Sequence, residues 1–290
     1  MSYSTLKYEV SEHILTLSLN RPEAMNSFTV EMANELVAAF NRASDDASVR
    51  AIVVTGEGRA FCAGMDLTRE GNVFGLNESI KPTIDDMTNR LDDPEIFDGV
   101  RDSGGRVTLA IYDCKKPVIA AINGAAVGIG ATMMCAMDIR IASEYAKVGF
   151  VFNKIGITPE ACSSYFLPKI VGISQALEWV YSGDIMGADE LKEARFVKKV
   201  VPADQLMEEA YKIARRIAAH SPVAIALTRQ LMYKNSSADG PMQAHKTDSL
   251  AIFYASQIGG KEGVKAFLEK RAPDYTDTLE KDMPDFYPWW

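Results

Sequence analysis

Asn123-Gly-Ala-Ala-Val-Gly-Ile-Gly-Ala131 is the stretch on which the fold turns. It follows Pro117-Val-Ile-Ala-Ala-Ile122, an apolar run of the kind that forms a strand buried on both faces. Asn123 to Gly130 reads as a small-residue turn, Ala131 to Met137 as a short helix, and Asp138-Ile-Arg-Ile-Ala142 as the next strand. Glycines at 128 and 130 let the backbone approach a ligand closely. The helix that follows aims its N–H groups and the positive end of its dipole at the same place. The spacing misses GxGxxG and no Gly-Lys-Ser/Thr follows, so this is not a nucleotide fingerprint. Taken alone, the segment reads equally well as a packing turn.

Working toward the N-terminus, Arg59-Ala-Phe-Cys-Ala-Gly-Met-Asp-Leu67 has the same character. It follows the buried-type strand Ala51-Ile-Val-Val-Thr55 and the turn Gly56-Glu-Gly58. Gly64 permits a conformation that exposes neighbouring N–H groups. A tight turn is the plain alternative. Further back, Tyr8-Glu-Val and Ile14-Leu-Thr-Leu-Ser-Leu19 read as strands, and Val30 to Ser44 as a helix capped by Thr29. Residues 68 to about 98 are polar and irregular, which fits a lid over a site or a surface excursion.

After about Ile170 the pattern turns helical: Gln175 to Ser182, Ala188 to Ala194, Ala203 to His220, Pro222 to Asn235, Ala244 to Ile258, and Lys261 to Lys270. Repeated β-then-α units followed by a helical tail predict an α/β core, residues 1–200, with a C-terminal helical region, residues 201–290. The aromatic tail Met283-Pro-Asp-Phe-Tyr-Pro-Trp-Trp290 is expected to pack on its own or a neighbouring subunit.

Composition excludes several function classes. The 290 residues are 47% hydrophobic and 24% charged, an ordinary globular balance. No apolar run approaches the roughly 20 residues of a membrane helix, and the first residues lack the layout of a signal peptide. A cytoplasmic protein without membrane attachment is expected. A net charge of −8 disfavours nucleic acid as a partner. Cys62, Cys114, Cys135 and Cys162 form no CxxC pair and read as reduced thiols. The histidines, His13, His220 and His245, sit in no acidic or glycine-rich cluster, so no metal site or histidine triad is expected.

The two glycine-flanked segments, in this order and at this separation, resemble the enoyl-CoA hydratase/isomerase family, also called the crotonase superfamily. Further anchors are Asn20-Arg-Pro-Glu-Ala-Met-Asn26, Asp138-Ile-Arg-Ile-Ala142 and Glu262-Gly-Val-Lys-Ala-Phe-Leu-Glu-Lys-Arg271, so the resemblance covers almost the whole chain. It implies a spiral of repeated ββα units and a C-terminal helical region that builds a homotrimer or a dimer of trimers. It also implies an acyl-CoA thioester substrate whose oxygen sits between the backbone N–H groups of Met65 and Ile129. Coenzyme A is then part of the substrate, and no separate cofactor is expected. The same resemblance places Ala24, Met25, Ala63, Asp66 and Leu67 along the coenzyme, with Phe267 and Lys270 reaching that of a neighbouring subunit. The family usually carries three glycines at 128 to 130. Ile129 departs from that, which affects the acyl pocket and leaves the amide donor in place.

Family hydratases hold water between two glutamates, at positions that here are Thr132 and Phe152; these two are expected in the acyl pocket instead. Gly156-Ile-Thr-Pro-Glu-Ala-Cys-Ser-Ser-Tyr165 resembles the Δ3,Δ2-enoyl-CoA isomerase branch, which places a single catalytic glutamate at the position of Glu160. The resemblance therefore implies isomerisation. Hydration, or a catalytically quiet acyl-CoA-binding protein, are the alternatives. An N-terminal helix charge is the plain reading of Glu160.

Overall fold

The computed structural model describes residues 3–68 and 71–288. An antiparallel hairpin, β1 (Leu6–Ser11) and β2 (Ile14–Leu19), opens the chain. There follow β3 (Ala51–Gly56), β4 (Ala60–Cys62), β5 (Val118–Ile122), β6 (Ala125–Val127), β7 (Ile139–Ser143), β8 (Lys147–Gly149), β9 (Ile185–Gly187) and β10 (Lys199–Val201). They form two sheets, ordered β1-β2-β3-β5-β7-β10 and β4-β6-β8-β9. Three successive pairs, β3/β4, β5/β6 and β7/β8, thus give one strand to each sheet and lie beside the pair before them. The chain advances as a spiral, parallel except for the opening hairpin and the β8–β9 edge.

Strand alternation sorts the core into two layers. Leu15, Leu17, Ile52, Val54, Val118 and Ala120 face the main core between the sheets. Ile14, Ala51, Val53, Ile119 and Ala121 point the other way. Every residue of β3 and β5 is buried, as expected for parallel strands covered on both faces.

The helices are α1 (Val30–Asp45), α2 (Ile84–Asn89), α3 (Pro94–Gly99), α4 (Ser103–Asp113), α5 (Ile129–Thr132), α6 (Ser163–Val171), α7 (Ile173–Ser182), α8 (Ala188–Glu193), α9 (Leu206–Ala218), α10 (Pro222–Asn235), α11 (Pro241–Gln257), α12 (Gly259–Glu269) and α13 (Leu279–Asp282). Thr29 caps α1, its hydroxyl accepting the Met32 N–H at 3.1 Å. Helix α9 covers the outer sheet face with Leu206, Ala210 and Ala214. Helix α10 is pinned to the core by Arg229, which pairs with Asp138 at 2.9 Å and donates to the carbonyls of Ile111, Tyr112 and Cys114. Helices α11 and α12 leave Ile252, Phe253, Val264, Phe267 and Leu268 exposed.

The α/β architecture and the C-terminal helices match the expectation, with three differences. The segment from 68 to 98 is not wholly irregular: it contains α2 and α3, and α2 has a reciprocal capping box between Thr83 and Asp86. The stretch read as a turn from Asn123 contains β6, because Ala125 and Ala126 find partners in β4 and β8. Strands β9 and β10 interrupt the region read as purely helical. The paired tryptophans of the tail lie outside the described residues. Among the described residues no helix is long and apolar enough to cross a membrane.

Candidate active site

The first donor loop leaves β4 through Ala63 and Gly64. Phe28 pairs with the loop as in a parallel bridge, its N–H donating to Gly64 O at 2.7 Å while its carbonyl accepts the Asp66 N–H at 2.9 Å. Successive N–H groups of an extended chain point to opposite sides. The Met65 N–H therefore faces away from Phe28, and Met65 lines a cavity of about 360 Å³. Gly64 makes this turn at φ +109°, and a Cβ there would sit 3.2 Å from Val127 O.

The second donor loop leaves β6. Gly128 donates to Gly149 O at 2.9 Å and turns at φ +56° into α5. Its carbonyl accepts from Ala131 and Thr132, closing the first turn. Ile129 is the first residue of α5, so its N–H has no acceptor within the helix. A Cβ on Gly130 would overlap Cys62 O, and a Cβ on Gly128 would touch Gly64 Cα. The absence of side chains thus lets the two loops lie against each other. Met65 and Ile129 border the same cavity.

Glu160 comes from the turn between the 3-10 segment Val151–Ile155 and α6. Ala161 and Cys162, which follow it, adopt φ +55° and +53°, a costly conformation for residues with side chains. Ser163 holds the turn by donating to Glu160 O through its N–H at 3.0 Å and its hydroxyl at 2.7 Å. The Thr132 hydroxyl donates to Glu160 Oε1 at 2.6 Å. Glu160 is held well above the ordinary carboxylate range, first by burial and then by the negative charge of Asp102; the Thr132 hydrogen bond opposes the shift.

Asp102 is the part of the site that the sequence reading missed. It caps α4, accepting the N–H groups of Gly104 and Gly105 at 2.9 Å each. It also accepts the Ala161 N–H at 2.7 Å, so it ties the Glu160 turn to the start of the helix. Gly104 makes room for the carboxyl: a Cβ there would overlap Glu160 Oε2 and the tip of Ile129. An N-cap aspartate followed by Ser-Gly-Gly was the available signal, since two glycines in a first helical turn suggest close approach by something else.

The remaining cavity wall is mostly apolar, with Phe28, Phe74, Leu76, Val100, Phe152 and Ile157 prominent. Phe152, expected in the acyl pocket, is one of the residues on this cavity. Thr132 does not: it is fully buried behind Glu160 and touches the carboxyl rather than the cavity, a correction to its expected place in the acyl pocket. Phe74 and Leu76 come from the segment considered as a lid, of which residues 69 and 70 lie outside the described residues.

The residues expected along the coenzyme fall into two groups. Ala63 and Leu67 are on the cavity, Leu67 at an exposed rim, and Met25 O accepts the Ala63 N–H at 3.1 Å. Ala24 ends the adjoining 3-10 turn. Asp66 pairs with Arg21 at 2.9 Å and is held down at about 2, chiefly by the Thr68 hydroxyl and by Arg21. Phe267 is on the exposed face of α12 and Lys270 caps that helix; neither lines the cavity of this protomer. Among the described residues no cluster of three or more His, Cys, Asp or Glu side chains is arranged to hold a metal ion.

The two-sheet spiral brings two glycine turns and a half-buried carboxyl to one cavity. The chain belongs to the enoyl-CoA hydratase/isomerase family, the crotonase superfamily, whose sequence profile matches residues 9–278. It is 39% identical over 275 residues to an enoyl-CoA hydratase of Alternaria alternata, covering 93% of this chain and 86% of that one. It is 30% identical over 268 residues to the 1,2-epoxyphenylacetyl-CoA isomerase of Escherichia coli, covering 92% and 96%. The crystal structure of an enoyl-CoA hydratase from Bacillus anthracis superposes with a TM-score of 0.81 at 29% identity, covering 94% and 99%.

Proposed function

We propose that this acyl-CoA enzyme moves the double bond of an enoyl-CoA thioester from the 3 to the 2 position. Glu160, as carboxylate, takes a proton from the α-carbon. The electron pair passes to the thioester oxygen, which the Met65 and Ile129 N–H groups hold as a dienolate. Glu160 then returns the proton at the γ-carbon as the C2–C3 double bond forms. The step is redox-neutral and uses no separate cofactor, coenzyme A being carried by the substrate. Fixed donors are worth about 3–4 kcal/mol each where they meet developing charge.

The observation that carries this reading is Glu160 itself, a half-buried carboxyl beside Ile129 in a largely apolar cavity that Phe152 also lines. High proton affinity suits exchange with a carbon acid. Hydration of a 2-enoyl-CoA is the second reading, favoured by the presence of Asp102 as a further carboxyl on the cavity and by the hydratase names of relatives. A coupled assay of both reactions on one acyl chain separates them: faster 3-enoyl-CoA isomerisation supports the proposal, and faster water addition overturns it.

The exposed apolar side chains of α11 and α12 support assembly as a homotrimer or a dimer of trimers, with Phe267 and Lys270 reaching a neighbour's coenzyme. The acidic balance, with a net charge of −8, supports a small-molecule substrate over nucleic acid.

A further inference from the structure

We infer that Asp102 is a positioning residue for proton transfer, clamping the Glu160 turn against the start of α4. The inference rests on the reading of Glu160 as the base. The geometry of the turn carries it, and the charge of Asp102 beside Glu160 supports it.

The first is the clamp. The Glu160-Ala161-Cys162 turn contains two consecutive non-glycine residues in left-handed conformation, which persist only where surroundings over-determine them. Asp102 supplies such a determinant from 59 residues away, through its bond to the Ala161 N–H. Without that acceptor, a buried N–H in the turn loses its partner.

The second is the charge. Both carboxyl groups line the cavity and face consecutive residues of α4, Glu160 Oε2 against Gly104 and Asp102 Oδ2 against Gly105, with Asp102 at the exposed edge. Asp102 Oδ1 accepts from Gly104, and Oδ2 accepts from both Gly105 and Ala161. All three partners are donors, so both Asp102 oxygens act as acceptors. A negative charge beside a carboxyl disfavours its ionisation. The proton affinity of Glu160 is therefore raised by a neighbour as well as by burial, and that makes it a stronger base toward carbon once it ionises.

The other titratable groups around Glu160 are thiols. Burial pushes Cys62 on β4 and Cys135 in the 3-10 turn Met133–Ala136 up to about 12. It also raises Cys162 on the turn itself. These thiols remain neutral through the working range, and Asp102 supplies the charge.

The test is the pH profile of kcat and kcat/KM for 3-enoyl-CoA isomerisation in wild type, Asp102→Asn and Asp102→Ala. Asn retains an oxygen for the Ala161 N–H and removes the charge. Its acid limb should move to lower pH by about one pH unit or more. Its plateau rate should drop roughly 10-fold or more, with Asp102→Ala lower still. Lost activity with an unmoved limb would reduce Asp102 to a structural cap and overturn the inference.

An infrared titration of the carboxyl C=O band in the wild-type enzyme needs neither turnover nor a folded Asp102 variant. A protonated carboxyl band that persists above the ordinary carboxylate range, absent from Glu160→Gln, is expected. Its absence from the wild type overturns the inference. Retention of isomerisation by Glu160→Gln, with that band present in wild type, would instead fault the assignment of the base.

Discussion

Thr132 donates its hydroxyl to Glu160 Oε1 at 2.6 Å from a position with no solvent exposure. Thr132 stands on α5, the helix whose first N–H is the Ile129 donor. One four-residue element therefore carries both the proposed oxyanion donor and the hydroxyl that meets Glu160.

Thr132→Val keeps the shape and removes the hydrogen bond. That bond favours the ionised carboxyl, so its loss raises the proton affinity of Glu160 further and moves the acid limb of isomerisation to higher pH. The stability cost should be about 1–2 kcal/mol, measurable by chemical denaturation. An unmoved limb would show that Thr132 serves packing alone.

Gly104→Ala should separate stability from activity. The new Cβ meets the far ends of Glu160 and Ile129, which can swing aside, and alanine favours helix. Thermal unfolding should change by roughly 1 kcal/mol or less. Isomerisation should fall about 100-fold as the carboxyl is displaced, in keeping with the sensitivity of proton transfer to position. Kinetics and melting on the same preparation check both halves.

The raised proton affinity of Glu160 carries a sign for stability. A carboxyl whose folded value lies above its unfolded one binds extra protons in the folded state. That contribution is complete below the unfolded carboxyl range and disappears as pH rises through the folded value. Wild type should thus lose stability relative to Glu160→Gln as pH rises, while isomerisation grows over the same interval. Urea denaturation at mildly acidic, neutral and mildly alkaline pH tests this; parallel curves for the two proteins would count against it.

Arg229→Met should destabilise the fold by about 3–5 kcal/mol, the cost of leaving one member of a buried pair uncompensated. Here Asp138 would lose its cation and the Ile111 carbonyl its Arg229 donor, while the carbonyls of Tyr112 and Cys114 would keep only Gln230. Chemical denaturation reads the loss directly.

Much of this architecture was legible locally. Ile14–Leu19 alternates cleanly, and Pro222 after Ser221 marks the start of α10, where the Ser221 hydroxyl accepts the Ala224 N–H. The three-residue strands β6, β8 and β9 were not, because such short runs carry no period and exist only by pairing with distant partners. The site divides the same way. Gly64, Gly128 and Glu160 sit in local motifs with distinctive residue spacing. Asp102 looks like any helix cap until the fold brings α4 against the Ala161 turn, and Thr132 looks like a pocket residue until its hydroxyl is seen to meet Glu160.

The central claim is that Glu160 moves the proton while the Met65 and Ile129 amides hold the enolate. The most direct measurement follows a 3-enoyl-CoA in deuterium oxide by NMR with wild type and Glu160→Gln. Wild type should form the 2-enoyl product and exchange α-protons, and Glu160→Gln should slow both by roughly 10²–10⁴-fold while still binding the thioester. Near-wild-type isomerisation and exchange by Glu160→Gln would contradict the account.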